Sequence, residues 1–172
     1  MSLHSLSRRI YYRLSPRGRL LLRRIYYLPA DLFRRRDAMI PPRGMIFVGS
    51  GDFVRQGLQQ RDTIIRCTDL KPDATMLDVG SGIGRLAVAM TGYLTAEGHF
   101  EGFDVVKKGV NWCQKHITRR YPNFVFTHID LKNDLYNLST ETAARDFVFP
   151  YTHDRFDVVT LFSVLTHDSR RY

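Results

Sequence analysis

The sequence predicts an α/β fold in which helices cover both faces of an open parallel sheet. Two observations predict it. Four short apolar segments with strand-like composition alternate with helix-like segments from residue 75 onward, a pattern typical of parallel strands joined by right-handed crossovers. A run with three glycines, Gly80-Ser-Gly-Ile-Gly84, directly follows the first of these strands and opens a helix. Such a turn is expected to bring bare backbone N–H groups up to a ligand.

The N-terminal part predicts two helices. Apolar residues recur on one face over residues 3–14, which predicts a short amphipathic helix. Ser15 and Pro16 match a helix cap followed by proline at the first helical position, so a second helix is expected from Pro16 to about Leu28. We expect Pro29 to end this helix, because proline lacks a backbone N–H.

The remainder predicts the alternating elements of the sheet domain. Asp52 is expected to cap a helix that runs to about Cys67. The last predicted strand is apolar enough to be a central strand that is buried on both faces. The predicted strands span residues 75–79, 98–103, 123–129 and 156–162, and the predicted helices span 85–94 and 106–120, with a short one near 140–145.

The net positive charge of the chain comes from its N-terminal quarter, because the rest of the chain is neutral overall. Residues 1–43 hold eleven arginines against Asp31 and Asp37, and they account for the whole formal net charge of +9. We therefore predict a basic helical extension over residues 1–43 and a neutral, ligand-binding domain over residues 44–172.

The cysteines and the hydropathy pattern set broad limits on the class of protein. Cys67 and Cys113 are far apart and form no paired motif, which predicts a reduced, cytoplasmic protein. No apolar run approaches the roughly 20 residues that a membrane-spanning helix needs. No metal site is predicted.

The spacing of the glycine run indicates the kind of ligand. A dinucleotide-binding turn would need a glycine at position 85, where this chain has Arg85, and the third glycine comes one residue early, at Gly84. Asp78, two residues before Gly80, would repel a pyrophosphate and attract an ammonium group. A ligand with a positively charged amino-acid end and no phosphates, S-adenosylmethionine, therefore fits better than a dinucleotide.

The run Met76-Leu-Asp-Val-Gly-Ser-Gly-Ile-Gly-Arg85 resembles the first motif of the class I S-adenosylmethionine-dependent methyltransferases, and the resemblance extends over residues 60–167. It implies a Rossmann-like parallel sheet, which in this class has about seven strands. Only four strands are visible, so we expect a truncated chain, or one that lacks segments of the natural protein, in preference to a complete one.

The resemblance also implies a set of cofactor contacts. Asp78 would help to hold the methionine amino group, Asp104 would accept the ribose hydroxyls, and Asp130 would bond the adenine amine. Asp104 and Asp130 have a plainer interpretation as caps of the segments that follow them, and Phe103 and Val105 could be ordinary core residues. The implied cofactor-binding residues are Asp78, Gly80, Ser81, Gly82, Gly84, Phe103, Asp104, Val105, Ile129, Asp130, Leu131 and Ser163.

The candidate catalytic residue is His167, in a segment that resembles the fourth motif of the family. An imidazole there could take the proton from an acceptor hydroxyl, because its pKa lies near working pH. A histidine with a purely structural role is the alternative.

The expected function is methyl transfer to a small-molecule or glycan acceptor, by O- or N-methylation, with S-adenosylhomocysteine as product. Two alternatives remain open: a non-catalytic S-adenosylmethionine-binding module and a nucleotide-binding oxidoreductase, against which Arg85 argues.

The basic extension has several interpretations. Its arginines and apolar residues suit a membrane-surface anchor, a dock for an anionic acceptor, a partner interface or a packed lid with a solvated face. Nucleic-acid binding is less favoured and stays open. Peripheral attachment to a membrane would qualify the cytoplasmic location.

Overall fold

The computed structural model describes residues 16–33, 37–46, 51–131, 148–149 and 151–162. The helices predicted over residues 3–14 and near 140–145, together with Ser163 and His167, lie outside these ranges. The chain forms two compact units: Met1–Asp37 with Pro41–Gly49, and Ala38–Ile40 with Ser50–Tyr172. Within the described ranges, no helix has both the length and the apolar character needed to cross a bilayer.

The described part of the first unit consists of helix α1, Pro16–Phe33, and a 3₁₀ turn, Arg43–Met45. The helix begins at Pro16 as predicted, but the prediction that Pro29 ends it is wrong. Proline inside a helix removes one backbone hydrogen bond. Asp31, in the turn beyond it, accepts the N–H groups of Arg43 at 2.8 Å and Gly44 at 3.1 Å, and this tertiary contact helps to hold the last helical turn.

The second unit begins with helix α2, Phe53–Thr68. Asp52 caps it as predicted, because its carboxylate accepts the Arg55 N–H at 2.8 Å. The helix ends at Asp69, which adopts a left-handed backbone with φ of 51°.

Four parallel strands form the sheet: β1, Thr75–Val79; β2, His99–Asp104; β3, Phe124–His128; and β4, Val158–Thr160. Their order is β3-β2-β1-β4, which confirms the predicted α/β class and the four predicted strands. The fourth strand is shorter than predicted and is the outer strand of the described sheet. Val159 is therefore half exposed, where a central strand buried on both faces was expected.

Two helices cover one face of the sheet. Helix α3, Arg85–Met90, is shorter than predicted because the chain turns at Thr91. Helix α4, Lys107–Cys113, continues as a π-helical stretch, Gln114–Thr118. The core between them and the sheet is apolar, and its most deeply buried large side chains are Met76, Met90, Phe100, Val110, Ile117 and Phe124.

A buried acid ties a loop to the opposite face of the sheet. Glu101, inside β2, contacts the Arg155 guanidinium, and its carboxylate lies 3.3 Å from His99 Nε2. Burial raises the pKa of Tyr151, which is hydrogen-bonded to Glu101, to about 12. The guanidinium of Arg155 also lies over the rings of Tyr151 and Phe156, at 5.2 and 5.5 Å from their centres. These contacts fix the loop that leads into β4.

Gly57 sets the closest approach of α2 to α3, which leads to a stability prediction. A Cβ at this position would lie 2.6 Å from the Arg85 carbonyl oxygen. We expect Gly57→Ala to lower the free energy of unfolding by about 1–3 kcal/mol, because two backbones would have to separate. Chemical denaturation followed by circular dichroism measures the change.

Gly92→Ala is the matched control, because a Cβ there would only make an ordinary contact at 3.8 Å. Equal stabilities of the two variants would contradict the close packing of α2 on α3.

Candidate functional site

The carboxyl ends of β1, β2 and β3 meet at one edge of the sheet and bring the predicted cofactor residues together. The strand order changes direction around β1, which pairs with β2 on one side and β4 on the other. In open α/β sheets, ligands bind outside the carboxyl ends of the strands at such a switch point. The turns after β1, β2 and β3 therefore form the candidate site.

The N–H groups of the glycine turn are used within the protein. Those of Gly80 and Ser81 donate to the Phe103 carbonyl at 2.9 and 3.0 Å. The Gly82 N–H donates to the Asp104 carboxylate at 2.7 Å, and the Gly84 N–H donates to the Ser81 carbonyl. The expectation that bare N–H groups face the ligand is therefore wrong for these four residues.

The turn instead offers hydrogen-bond acceptors. Among the described residues, no hydrogen bond ends on the carbonyl oxygen of Gly80 or Gly82. Carbonyl oxygens can accept from an ammonium group but not from a phosphate. The chemistry of the turn thus agrees with a cationic amino-acid ligand and disagrees with a pyrophosphate.

The three glycines serve different needs. All three have positive φ, between 60° and 81°, which strains other residues. A Cβ on Gly84 would lie 2.8 Å from Cys113 Sγ and 2.7 Å from Ile117, so Gly84 allows α4 to pack against the turn. A Cβ on Gly82 would meet nothing within 4 Å. Gly82 therefore borders open space, where a ligand can approach the backbone.

Asp104 connects all three turns. One carboxylate oxygen accepts the Gly82 N–H and the other accepts the Val106 N–H, each at 2.7 Å. Its backbone carbonyl accepts the Ile129 N–H at 3.1 Å. Burial raises the pKa of Asp104, and the two backbone N–H donors act against that rise. The acid therefore makes the local bond expected of a loop cap and also lies at the predicted cofactor edge.

Asp78 lies beneath the glycine turn and is 4% exposed. Its carboxylate accepts the Thr160 hydroxyl at 2.9 Å. Burial raises its pKa to about 7, and the nearby charge of Asp104 adds to the rise. No lysine or arginine of the described residues forms an ion pair with Asp78 or Asp104. The charge of His128, next to Asp104 in the sheet, lowers the pKa of Asp104. The site thus holds two buried acids without a lysine or arginine partner, which suits a positively charged ligand.

Sequence reasoning did not identify Gly102 and Thr160, which complete the site. Both lie beside Asp78 in the sheet. A Cβ on Gly102 would lie 2.9 Å from the Ser81 Cβ, so glycine is needed for the turn to close over β2. A glycine inside a strand signals such close approach. The buried Ser81 hydroxyl has no hydrogen-bond partner in the part of the chain that the structure describes.

The remaining predicted residues differ in exposure. Phe103 is buried and packs its ring against Phe149 at 5.8 Å, as expected of a core residue. Val105, Ile129 and Leu131 are half-buried at the edge, and Asp130 between the last two is exposed.

The side chains of Arg85 and Asp157 both make contacts within the protein. The guanidinium of Arg85 lies 5.7 Å from the centre of the Phe53 ring, and burial lowers its pKa. Asp157 accepts the Thr75 N–H at 2.7 Å. This hydrogen bond therefore joins the start of β1 to the residue that precedes β4.

Comparison with known proteins identifies the type of domain. A family model described as a methyltransferase domain matches residues 70–171, more than half of the chain.

Several solved structures are also similar. The YcgJ protein from Bacillus subtilis is 20% identical over 62% of this chain and 37% of that one, with a TM-score of 0.44. A SAM-dependent methyltransferase from Aquifex aeolicus is 23% identical over 45% and 42%, with a TM-score of 0.39. An RNA methyltransferase from Salinibacter ruber in complex with S-adenosyl-L-homocysteine is 16% identical over 48% and 50%, with a TM-score of 0.38. The chain thus spans half or less of the length of these proteins.

The raised pKa of Asp78 leads to a pH-dependent stability. Between its ordinary pKa of 3.8 and about 7, the folded state binds a proton that the unfolded state releases, so this group lowers the free energy of unfolding as pH rises through that window. We expect Asp78→Asn to remove the effect. Between pH 4 and pH 7.5, the free energy of unfolding of the variant should rise relative to that of the wild type by up to roughly 4 kcal/mol.

Denaturation at a series of pH values measures this difference, with the exposed Asp73→Asn as control. Parallel pH profiles for Asp78→Asn and the wild type would contradict the assignment.

Proposed function

The chain belongs to the methyltransferase-domain family whose model matches residues 70–171, and we propose that it passes the methyl group of S-adenosylmethionine to a small-molecule or glycan acceptor. Membership confirms the predicted class, the class I S-adenosylmethionine-dependent methyltransferases, and the cofactor of that class, S-adenosylmethionine. The acceptor and the assignment of individual residues are proposals.

One observation supports placing the cofactor at this edge of the sheet. Two buried acids, Asp78 and Asp104, lie there without a lysine or arginine partner among the described residues. A ligand with an ammonium and a sulfonium group would supply the missing positive charge. The carbonyl oxygens of Gly80 and Gly82, which accept no hydrogen bond from the described residues, are suited to receive its amino group. The open space at Gly82 gives room for its approach.

We assign the rest of the ligand by the type of side chain. The Asp104 carboxylate retains lone pairs beyond its two backbone bonds and can accept ribose hydroxyls. Asp130 would accept the adenine amine, while Val105, Ile129 and Leu131 would pack against the adenine ring. Ser81 would donate its buried hydroxyl to the ligand, and Ser163 would also contact the ligand.

The bound cofactor supplies a methyl group that the positive sulfur makes electrophilic. The chain's own task is then to hold donor and acceptor in line, which can contribute several kcal/mol to the lowering of the barrier. We assign His167 as the base that removes the acceptor proton. Such a base would assist a hydroxyl acceptor, whereas the lone pair of a neutral amine can attack without one. We propose O- or N-methylation on this basis.

Calorimetry with the purified chain tests the cofactor. We expect S-adenosylmethionine and S-adenosylhomocysteine to bind, and NAD to bind at least about 100-fold more weakly, because its pyrophosphate would face acceptors and acids. Asp104→Asn should weaken S-adenosylhomocysteine binding at least about 10-fold, since an amide can accept only one of the two backbone N–H groups. Asp73→Asn is the matched control, and thermal melting of both variants separates lost binding from lost folding. Preferential binding of NAD would overturn the proposal.

Methylation of a panel of hydroxylated small molecules and oligosaccharides tests His167. We expect His167→Gln to slow transfer about 100-fold or more, as the loss of a general base does, with unchanged affinity for S-adenosylhomocysteine. The exposed His153→Gln serves as control. A parallel loss of cofactor affinity would instead make His167 a positioning residue. Cofactor binding by the wild type without transfer to any acceptor would favour the non-catalytic module.

A further inference from the structure

Helix α1 presents a continuous apolar face to solvent. Its exposed large apolar side chains are between 53% and 77% accessible. At 3.6 residues per turn they fall within an arc of about 160°. Four of them recur at helical spacing along one side of the arc, and Leu22 and Tyr26 form its other side. The six residues are Leu21, Leu22, Ile25, Tyr26, Leu28 and Leu32.

The opposite side of α1 is already occupied. Arg23 donates to the Arg43 carbonyl at 3.4 Å, and Asp31 accepts the N–H groups of Arg43 and Gly44. A Cβ on Gly44 would lie 2.8 Å from the Arg24 Cα, so the 3₁₀ turn packs directly on the helix backbone. Among the described residues, these contacts show which side of α1 is covered by its own unit, and the apolar arc lies on the other side.

Positive charge borders this arc. Helix α1 contains four arginines and one acid, Asp31, whose carboxylate is engaged by the two backbone N–H groups of the turn. On the helical projection, Arg24 lies about 40° beyond one border of the arc and Arg23 about 60° beyond the other. An apolar strip with cations beyond both of its borders is typical of helices that lie in the interface of a membrane.

We propose that α1 lies flat on an anionic phospholipid surface, with its apolar arc among the upper acyl chains and its arginines at the phosphates. Charge complementarity favours this occupant over a second copy, because two such helices would bring their arginines together. It favours a lipid surface over nucleic acid, because phosphates alone would leave the apolar arc unburied. Tyr26, at the border of the arc, has the amphipathic ring that is typical of membrane interfaces.

Co-sedimentation of the full chain with vesicles tests the proposal. We expect binding to vesicles in which phosphatidylglycerol replaces one third of the phosphatidylcholine, and much weaker binding to phosphatidylcholine alone. Leu21→Gln with Ile25→Gln should lower the partition coefficient at least about 10-fold, because two inserted side chains become polar. Glutamine has high helix propensity, so the helix should persist. Circular dichroism checks this.

Matched controls come from α2. Val54→Gln replaces an exposed apolar residue of the other unit and should leave partitioning unchanged.

Arg23→Gln with Arg24→Gln should weaken binding to the anionic vesicles about 10-fold. Arg55→Gln with Arg66→Gln, which removes the same charge from exposed positions of α2, should have a much smaller effect.

Three outcomes would overturn the proposal. One is equal binding to neutral and anionic vesicles by the wild type and both α1 variants. Another is a dimer in light scattering that Leu21→Gln with Ile25→Gln converts to monomer, without vesicle binding by the wild type. The third is that the chain binds an oligonucleotide tightly, with or without Leu21→Gln and Ile25→Gln, and does not bind vesicles. None of these results depends on whether the chain binds S-adenosylmethionine.

Discussion

The candidate site depends on the bridge that the Asp104 carboxylate makes between two turns. Its oxygens hold the Gly82 N–H on one side and the Val106 N–H on the other, and the Asp104 carbonyl holds Ile129. The Gly80 and Ser81 N–H groups add a second connection between the first two turns, because both donate to the Phe103 carbonyl. Gly84 and Gly102 support the same arrangement by allowing α4 and Ser81 to approach closely. One acid thus organises the site and remains able to contact a ligand.

The electrostatics of this edge favour a cation. Asp78 and Asp104 are buried, and the charge of Asp104 raises the pKa of Asp78. Within the described residues no lysine or arginine pairs with either acid, although the charge of His128 lowers the pKa of Asp104. Burying acids in this way costs stability unless a ligand supplies positive charge. The turn points the same way, because the N–H groups of its three glycines are used within the protein and no donor of the described residues bonds the carbonyl oxygens of Gly80 and Gly82. A positively charged methyl donor is therefore expected to bind more tightly here, because its charge would offset the electrostatic cost of burying the two acids.

The two units differ in their surface chemistry. The sheet domain is nearly neutral overall, whereas the helical unit carries the net positive charge and an exposed apolar arc. Its only described acid in the helix, Asp31, serves the backbone of the 3₁₀ turn. Because positive charge and apolar surface occur together in this unit, we infer that it can bind an anionic lipid surface independently of the candidate site at the edge of the sheet. Methyl transfer and surface attachment can then be tested as independent properties.

The sequence by itself determined the α/β class, the four strands, the Asp52 cap and the glycine turn, because periodicity, capping and glycine spacing are local properties. It misplaced the end of α1, since the contacts of Asp31 that help to hold the helix beyond Pro29 come from residues 43 and 44. Only the tertiary structure decided that the turn offers carbonyl oxygens and not N–H groups, and that Gly102 and Thr160 belong to the site. Those features depend on which strands are neighbours, and strand pairing joins residues that lie up to 82 positions apart in the chain.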